Sequence, residues 1–360
     1  MLSRKHHSSI SSFDVKSSSF DVKRFLARLI AFCLLMASIL WILDQLAPLG
    51  WGNAVLAEKV VDFKKEQQDA IDVVFVGSSR VYRQIDVDLF DSKVPGVRSY
   101  NLGSPDSNLL SHIKIVEHIV GAPSPPKHVI LEIQALPHLS VVNRHKFGSY
   151  YAHDLDRTIL AASVCCGKQD FLQLKEHAVA AIDNSLKVGG LLRIAKSLSH
   201  QVFQDRVALH GRRGFIPLDD EMDVEEIAQR RSEFLQDPSE LEVRRLKCLR
   251  ERENTSVAND EQDDDALTFY LQNLSTDCSD TGVQLTFLIA PRVLGAYPVQ
   301  RGIPNLPCLD LGDPSQHPEL HQFETSFDVG HLNQAGAKMF TRGIAEEFLK
   351  LFSPQLNTSK

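Results

Sequence analysis

The chain has 360 residues, enough for about two or three ordinary domains or one large α/β domain. Its apolar fraction of 43% and charged fraction of 24% are those of a globular protein, which excludes a chain disordered throughout and a small disulfide scaffold. With 39 Lys and Arg against 46 Asp and Glu the net charge is −7, and no nucleic-acid signature is present, so nucleic acid is not an expected partner.

The charge is unevenly spread. Residues 1–28 carry Arg4, Lys5, Lys16, Lys23, Arg24 and Arg28 against only Asp14 and Asp21. Within them Ser11–Lys16 (SSFDVK) is repeated at Ser18–Lys23. Two serine-rich copies have nothing to pack into a core, so residues 1–24 read as a disordered cytoplasmic tail. From Leu29 to Leu43 there is no charge, and extending the run back to Phe25 adds only Arg28, placed to snorkel. Crossing a bilayer takes about 20 apolar residues, so 25–46 read as one transmembrane helix, with Trp41 and Trp51 where interfacial aromatics belong. The basic flank puts the N-terminus in the cytoplasm and the rest of the chain outside, in a periplasm or at the cell surface. A cleaved signal peptide, with a V-x-A site at Val55-Leu56-Ala57, and a buried helix are the alternatives. The first of these leaves the compartment unchanged.

Past the span the chain alternates apolar runs with helical periods. Asp72–Gly77 (DVVFVG) reads as a buried strand running into a Gly-Ser turn, and Val97–Leu102 as a second ending at Gly103. Ser107–Val120 has a helical apolar period, stopped by GAPSPP. His128–Ile133, Val283–Ala290 and Cys308–Leu311 read as three more strands, and Asn333–Phe352 as a closing amphipathic helix. Strands alternating with helices predict a parallel sheet covered on both faces, an α/β domain made from 58–137 and 261–353. Between these pieces, 138–260 lacks strands and reads as a mainly helical insertion that caps the site or docks an envelope-assembly partner. Residues 219–265 hold 17 acidic and 7 basic side chains. The run Asp260–Asp265 (DEQDDD) reads as a solvated loop rather than a cation site.

Function in an open α/β sheet collects at the carboxyl ends of the strands. There stand Gly77-Ser78-Ser79-Arg80, Asn101-Leu102-Gly103-Ser104 and Gln134, and ahead of the closing helix Asp328-Val329-Gly330-His331. A serine at a strand-to-helix turn with an aspartate and a histidine on one loop is a complete nucleophile, base and orienter. Ser79 is the candidate nucleophile, His331 the base that takes its proton, and Asp328 the group that fixes the imidazole tautomer. The N–H groups of Ser79 and Gly103 are candidate oxyanion donors. Arg80, Asn101 and Arg292, each after a strand end, are candidate substrate contacts. Glu132, buried in the third strand, needs a partner such as one of the arginines. His317, Glu319 and His321 have ligand spacing, but Pro314 and Pro318 disrupt the helix it requires, and no metal is expected. Of the six cysteines none forms a C-x-x-C pair, and the compartment permits a disulfide without choosing its partners.

These residues resemble the SGNH (GDSL-like) hydrolase superfamily. Gly77-Ser78-Ser79 matches its Gly-x-Ser nucleophile turn, Gly103 its second-block glycine, and Asp328 to His331 its Asp-x-x-His ending. VFVGSSRVYRQID and DVGHLNQAGA are similar to membrane-anchored envelope members such as the DltD-type and alginate O-acetylation proteins. The likeness covers about 70–135 and 280–352. It implies a three-layer α/β/α, flavodoxin-like fold with a parallel five-stranded sheet. The implied activity is an esterase or O-acyltransferase, needing no cofactor, that acts on an acylated envelope carbohydrate or lipid through a Ser79 acyl-enzyme. One block departs from the pattern. The family's Gly-x-Asn-Asp is absent after Ile133, where Gln134 stands in as a candidate oxyanion donor. A catalytically inactive member that binds polysaccharide or assists envelope assembly is the alternative.

Overall fold

A computed structural model describes residues 22–46, 49–50, 53–66, 71–105, 107–133, 151–167, 170–186, 212–257, 265–294, 303 and 306–356. The chain divides into two compact units, Met1–Leu46 and Ala47–Lys360. In the first, α1 (Val22–Leu46) is a 25-residue helix whose described large apolar side chains face outward. The side chains of Ala37, Leu40, Trp41 and residues 43–46 lie outside the described set, as do Trp51 and residues 1–21. Among the described residues no helix is long and apolar enough to cross a membrane.

The second unit is α/β. Its elements are α2 (Ala54–Glu66), β1 (Val73–Val76), α3 (Ser79–Gln84), α4 (Val87–Lys93), β2 (Ser99–Asn101), α5 (Leu109–Val120) and β3 (His128–Glu132). There follow α6 (Leu155–Gly167), α7 (Phe171–Leu186), α8 (Glu225–Gln236), α9 (Ser239–Val257), α10 (Asp265–Asp280), β4 (Gln284–Ile289), β5 (Cys308–Asp310) and α11 (Gln334–Leu356). The five strands form one all-parallel sheet in the order β2-β1-β3-β4-β5. Each predicted strand is present, shortened by a residue or more at its ends. Parallel strands need cover on both faces, and β1 and β3 are buried at every position. Helix α5 lies on β1 and β3, α10 on β4, and α11 on α3, α4 and β5, an arrangement consistent with a three-layer α/β/α sandwich.

The segment read as an insertion is only partly described, and its described second half is built into this unit. The Asn101 N–H donates to the Arg213 carbonyl at 2.9 Å, and Arg213 also binds Asp88 and Asp91, closing the β2 edge. Gly214 sits at φ +89°, where a Cβ would fall 2.0 Å from the Asn101 carbonyl oxygen, so glycine alone permits this approach. Farther on, Arg83 pairs with Glu221 at 2.6 Å, and Arg252 grips Asp310 at the end of β5 through two bonds of 2.7 and 2.8 Å. Residues 258–264, with most of the acidic run, lie outside the described set. None of the six cysteines is in a disulfide.

Burial fixes a pH dependence on the fold. His128 opens β3 with its ring 5.1 Å from that of Phe348 and 4.8 Å from that of Phe352. Burial, chiefly, pushes its pKa down to about 4. The folded protein therefore binds fewer protons than the unfolded chain between pH 6.5 and 4, so stability is full above that window and falls within it. One group shifted this far removes about 3 kcal/mol by pH 4. Replacing His128 by Phe is expected to shrink the loss between pH 7 and 4 by about that amount, read from urea unfolding at both pH values. An unchanged pH slope would show that the ring is not buried as a neutral group.

Candidate active site

Strand β1 delivers the chain to Gly77, where a Cβ would stand 2.2 Å from Val81 Cγ2 and 2.6 Å from Glu132 Oε2. Only glycine fits between the nucleophile helix and β3. The two serines that follow have different duties. Ser78 is extended and caps α3: its Oγ accepts the Arg80 N–H at 3.2 Å, and its own N–H donates to Glu132 Oε2 at 2.6 Å. Ser79 is the first residue of α3, and its Oγ lies 2.9 Å from His331 Nε2.

The base comes from the loop between β5 and α11. An antiparallel bridge of Ser326 with Leu332 narrows this loop, and the Phe327 N–H donates to the His331 carbonyl at 2.9 Å. Inside it, Asp328 Oδ1 accepts the N–H groups of Gly330 (2.7 Å) and His331 (2.8 Å). His331 Nδ1 lies 2.9 and 3.0 Å from the two Asp328 oxygens. A carboxylate only accepts, so Nδ1 carries the proton and Nε2 offers its lone pair to the Ser79 hydroxyl. Burial works against the Asp328 charge, but His331, the hydrogen bonds and Arg230 outweigh it and hold the carboxyl well below the usual range. Burial lowers the His331 pKa; Asp328 opposes this, while Arg80 and Arg230 add to it. The imidazole is therefore neutral at pH 7, as a base must be.

Two candidate substrate contacts have other work. Asn101 is fully buried: its Nδ2 donates to the carbonyls of Val81 (2.7 Å) and Ile85 (2.9 Å), and its Oδ1 accepts the Gly103 N–H at 2.9 Å. It ties the nucleophile helix to β2. The Gly103 N–H is thereby directed at Asn101 and not toward an oxyanion. Gly103 is needed for space, since a Cβ there would lie 2.4 Å from the Tyr82 nitrogen. The Ser79 N–H, in the first turn of α3, belongs to the donors that helical bonding leaves unused.

Arg292 turns inward and is 1% exposed. Its Nη1 donates to the carbonyls of Asp328 and His331, both at 3.0 Å, and its Nη2 to the Leu320 carbonyl (2.9 Å) and Ser326 Oγ (2.6 Å). Burial pushes its pKa down to about 10, which leaves it charged at neutral pH. Its backbone sits at φ +66°, a left-handed conformation costly for a side chain with a Cβ and held here by this net of bonds. Arg80, the third candidate contact, does stand at the site, with Nη1 4.0 Å from Glu132 Oε1. Gln134 lies outside the described residues.

Several residues that carry the site have no motif to announce them. Lys59, fully buried on α2, donates to the carbonyls of Asn101 (3.1 Å) and Gly103 and rests 3.9 Å over the Tyr82 ring. Arg231 on α8 gives Nη1 to the carbonyls of Ser326 and Phe327, both at 2.7 Å, and Arg244 on α9 gives Nε to that of Arg292 at 3.0 Å. The adjacent Arg230-Arg231 pair in an otherwise acid-rich stretch was the one available signal. His317 faces Glu319 at 3.6 Å, and His321 is buried with neither ring nitrogen hydrogen-bonded among the described residues. Among the described residues no three His, Cys, Asp or Glu side chains are grouped to hold a metal ion.

The arrangement can move a proton from a serine hydroxyl to a neutral imidazole whose incipient charge is met by a buried carboxylate. Comparison with known proteins found no family model, no curated protein and no solved structure that matches the chain.

Proposed function

We propose that the protein is a serine-dependent acyl-ester hydrolase or O-acyltransferase. The observation that carries this reading is the hydrogen-bonded chain from Ser79 Oγ through His331 to Asp328, with links of 2.9 Å. Ser79 Oγ attacks the ester carbonyl carbon while its proton passes to His331 Nε2. The tetrahedral intermediate collapses, His331 returns the proton to the departing alcohol, and an acyl group remains on Ser79. Water then releases the acid, or a sugar hydroxyl takes up the acyl group, with His331 again the base. Asp328 stabilises the imidazolium at each stage. These steps use no metal or organic cofactor.

In this reading α1 is a membrane span with its basic end in the cytoplasm, and the α/β unit works outside on an acylated carbohydrate or lipid of the cell envelope. The uncharged run of 15 residues from Leu29 to Leu43 and its basic flank support this placement. The resemblance to SGNH hydrolases supports both the chemistry and the compartment.

A second reading, an inactive member that binds polysaccharide or assists envelope assembly, is favoured by the engagement of the Gly103 N–H with Asn101. Covalent labelling of the full chain in detergent with a fluorophosphonate separates the two. The expected result is one adduct, mapped to Ser79, that is absent from Ser79→Ala and His331→Ala. A folded wild-type protein that takes no label would favour the binding reading.

A further inference from the structure

The surroundings of Ser79 carry an imbalance of charge. Four guanidiniums, those of Arg80, Arg230, Arg244 and Arg292, stand about the catalytic groups, and two carboxylates, Glu132 and Asp328, face them. His331 is neutral in its working state. Among these groups positive charge is in excess at a partly exposed place, where an anion is its natural complement. It also runs against composition, since the chain is net acidic and residues 219–265, which supply Arg230 and Arg244, hold 17 acidic side chains to 7 basic.

The four arginines are not equivalent. Both terminal nitrogens of Arg292 are taken up by protein acceptors, and Arg244 anchors the Arg292 carbonyl. Arg80 and Arg230 differ from them. Arg80 follows the nucleophile directly, and its nearest carboxylate oxygen is 4.0 Å away. Arg230 reaches across from α8 to within 3.8 Å of Asp328 Oδ2. Both separations exceed a hydrogen bond. Among the described residues neither guanidinium makes a hydrogen bond to the protein, and the Nε of each is buried without a partner. Their side chains are 17% and 40% exposed, so they are open to a ligand at the mouth of the site. A planar fork of N–H donors with no acceptor is suited to a carboxylate, sulfate or phosphate oxygen pair.

We infer that Arg80 and Arg230 form an oxyanion-binding subsite beside Ser79, and that the substrate is an ester carrying a negative charge next to the bond to be broken. This rests on the acyl-transfer reading for the site's chemistry, while the subsite itself rests on the two arginines. A charged group gripped there would draw the ester carbonyl over Ser79 and neutralise the surplus of positive charge.

The test compares three phenyl esters in kcat/KM, each normalised to its rate with hydroxide. Phenyl acetate is neutral, 4-sulfophenyl acetate is charged on the alcohol, and monophenyl succinate is charged on the acyl group. One charged ester is expected to be preferred over phenyl acetate by about 10-fold or more at low salt, with the preference shrinking as salt is added. Arg80→Gln and Arg230→Gln should each reduce that ratio by about 10-fold. Equal or poorer use of both charged esters would overturn the proposal. So would equal losses on charged and neutral esters, which would instead assign the arginines to the transition state. If no ester is turned over and no fluorophosphonate label is taken, acyl transfer fails. The subsite is then read on Ser79→Ala by calorimetric titration with sulfate and with succinate. Saturable binding weakened in Arg230→Gln would retain it, and absence of binding would overturn it.

Discussion

Ester turnover is expected to fall by about 10⁴-fold or more in Ser79→Ala, with a comparable loss in His331→Ala and little further loss in the double variant. In the proposed mechanism the three groups act as one device. Without the hydroxyl no acyl-enzyme forms, and without the imidazole the hydroxyl keeps its proton. Losses that multiplied in the double variant would mean that the two side chains act separately, against the 2.9 Å hydrogen bond between them. The pH profile adds a second check. Burial holds His331 below the ordinary histidine pKa of about 6.5. The base is therefore already neutral at pH 6.5, and kcat/KM should fall only at lower pH, as the imidazole gains a proton. The same direction applies to stability: the unfolded chain binds this proton more readily, so acid weakens the fold as it silences the site. An acid limb centred above pH 6.5 would contradict the placement of His331 in a desolvated pocket.

Arg292→Met is expected to destabilise the α/β unit by about 3–5 kcal/mol. The substitution keeps much of the side chain's volume but strands four acceptors that the guanidinium satisfies at 2.6–3.0 Å. Two of these are the carbonyls of Asp328 and His331, so the catalytic loop loses its brace. Even a displacement of about 1 Å at such a site can cost 10²-fold in rate. The signature expected is a fall in kcat with KM nearly unchanged, together with a lower urea midpoint at constant slope. A raised KM with kcat and stability intact would return Arg292 to the role of a substrate contact. Arg292→Lys should recover only part of the stability, because one ammonium cannot span both pairs of acceptors.

The contrast between Ser79 and Arg292 shows what a sequence can carry. The strands were legible because buried parallel strands are uninterrupted apolar runs, and Gly77, Gly103 and Pro291 punctuate their ends. Ser79, Asp328 and His331 were legible because their residue types, order and spacing coincide at those ends. Side-chain direction was not legible. Asn101 ends a strand and Arg292 follows one, as substrate contacts would, yet both turn inward, the one to staple α3 and the other to brace the base loop. Lys59 and Arg244 were invisible, and Arg231 nearly so, for a related reason. Each serves the site through backbone carbonyls far away in the chain, and a carbonyl leaves no mark in the residue alphabet. The helices of 212–257 were foreseen, with a place over the site as one of two offered for them, but not that their arginines brace the base loop.

Ser79 and His331 meet across 252 positions of sequence, one beside the innermost strand pair and the other beyond the last strand to be synthesised. Nearly the whole α/β unit has therefore been made, and the loop between these residues closed, before a nucleophile exists. Closing a loop of that length carries an entropic cost, and the contacts that offset it are the long-range ones of the sheet rather than local ones. A partly synthesised chain lacks one half of the pair. The pair then reports on completion: a chain in which Ser79 and His331 meet has been made at least as far as the loop before α11.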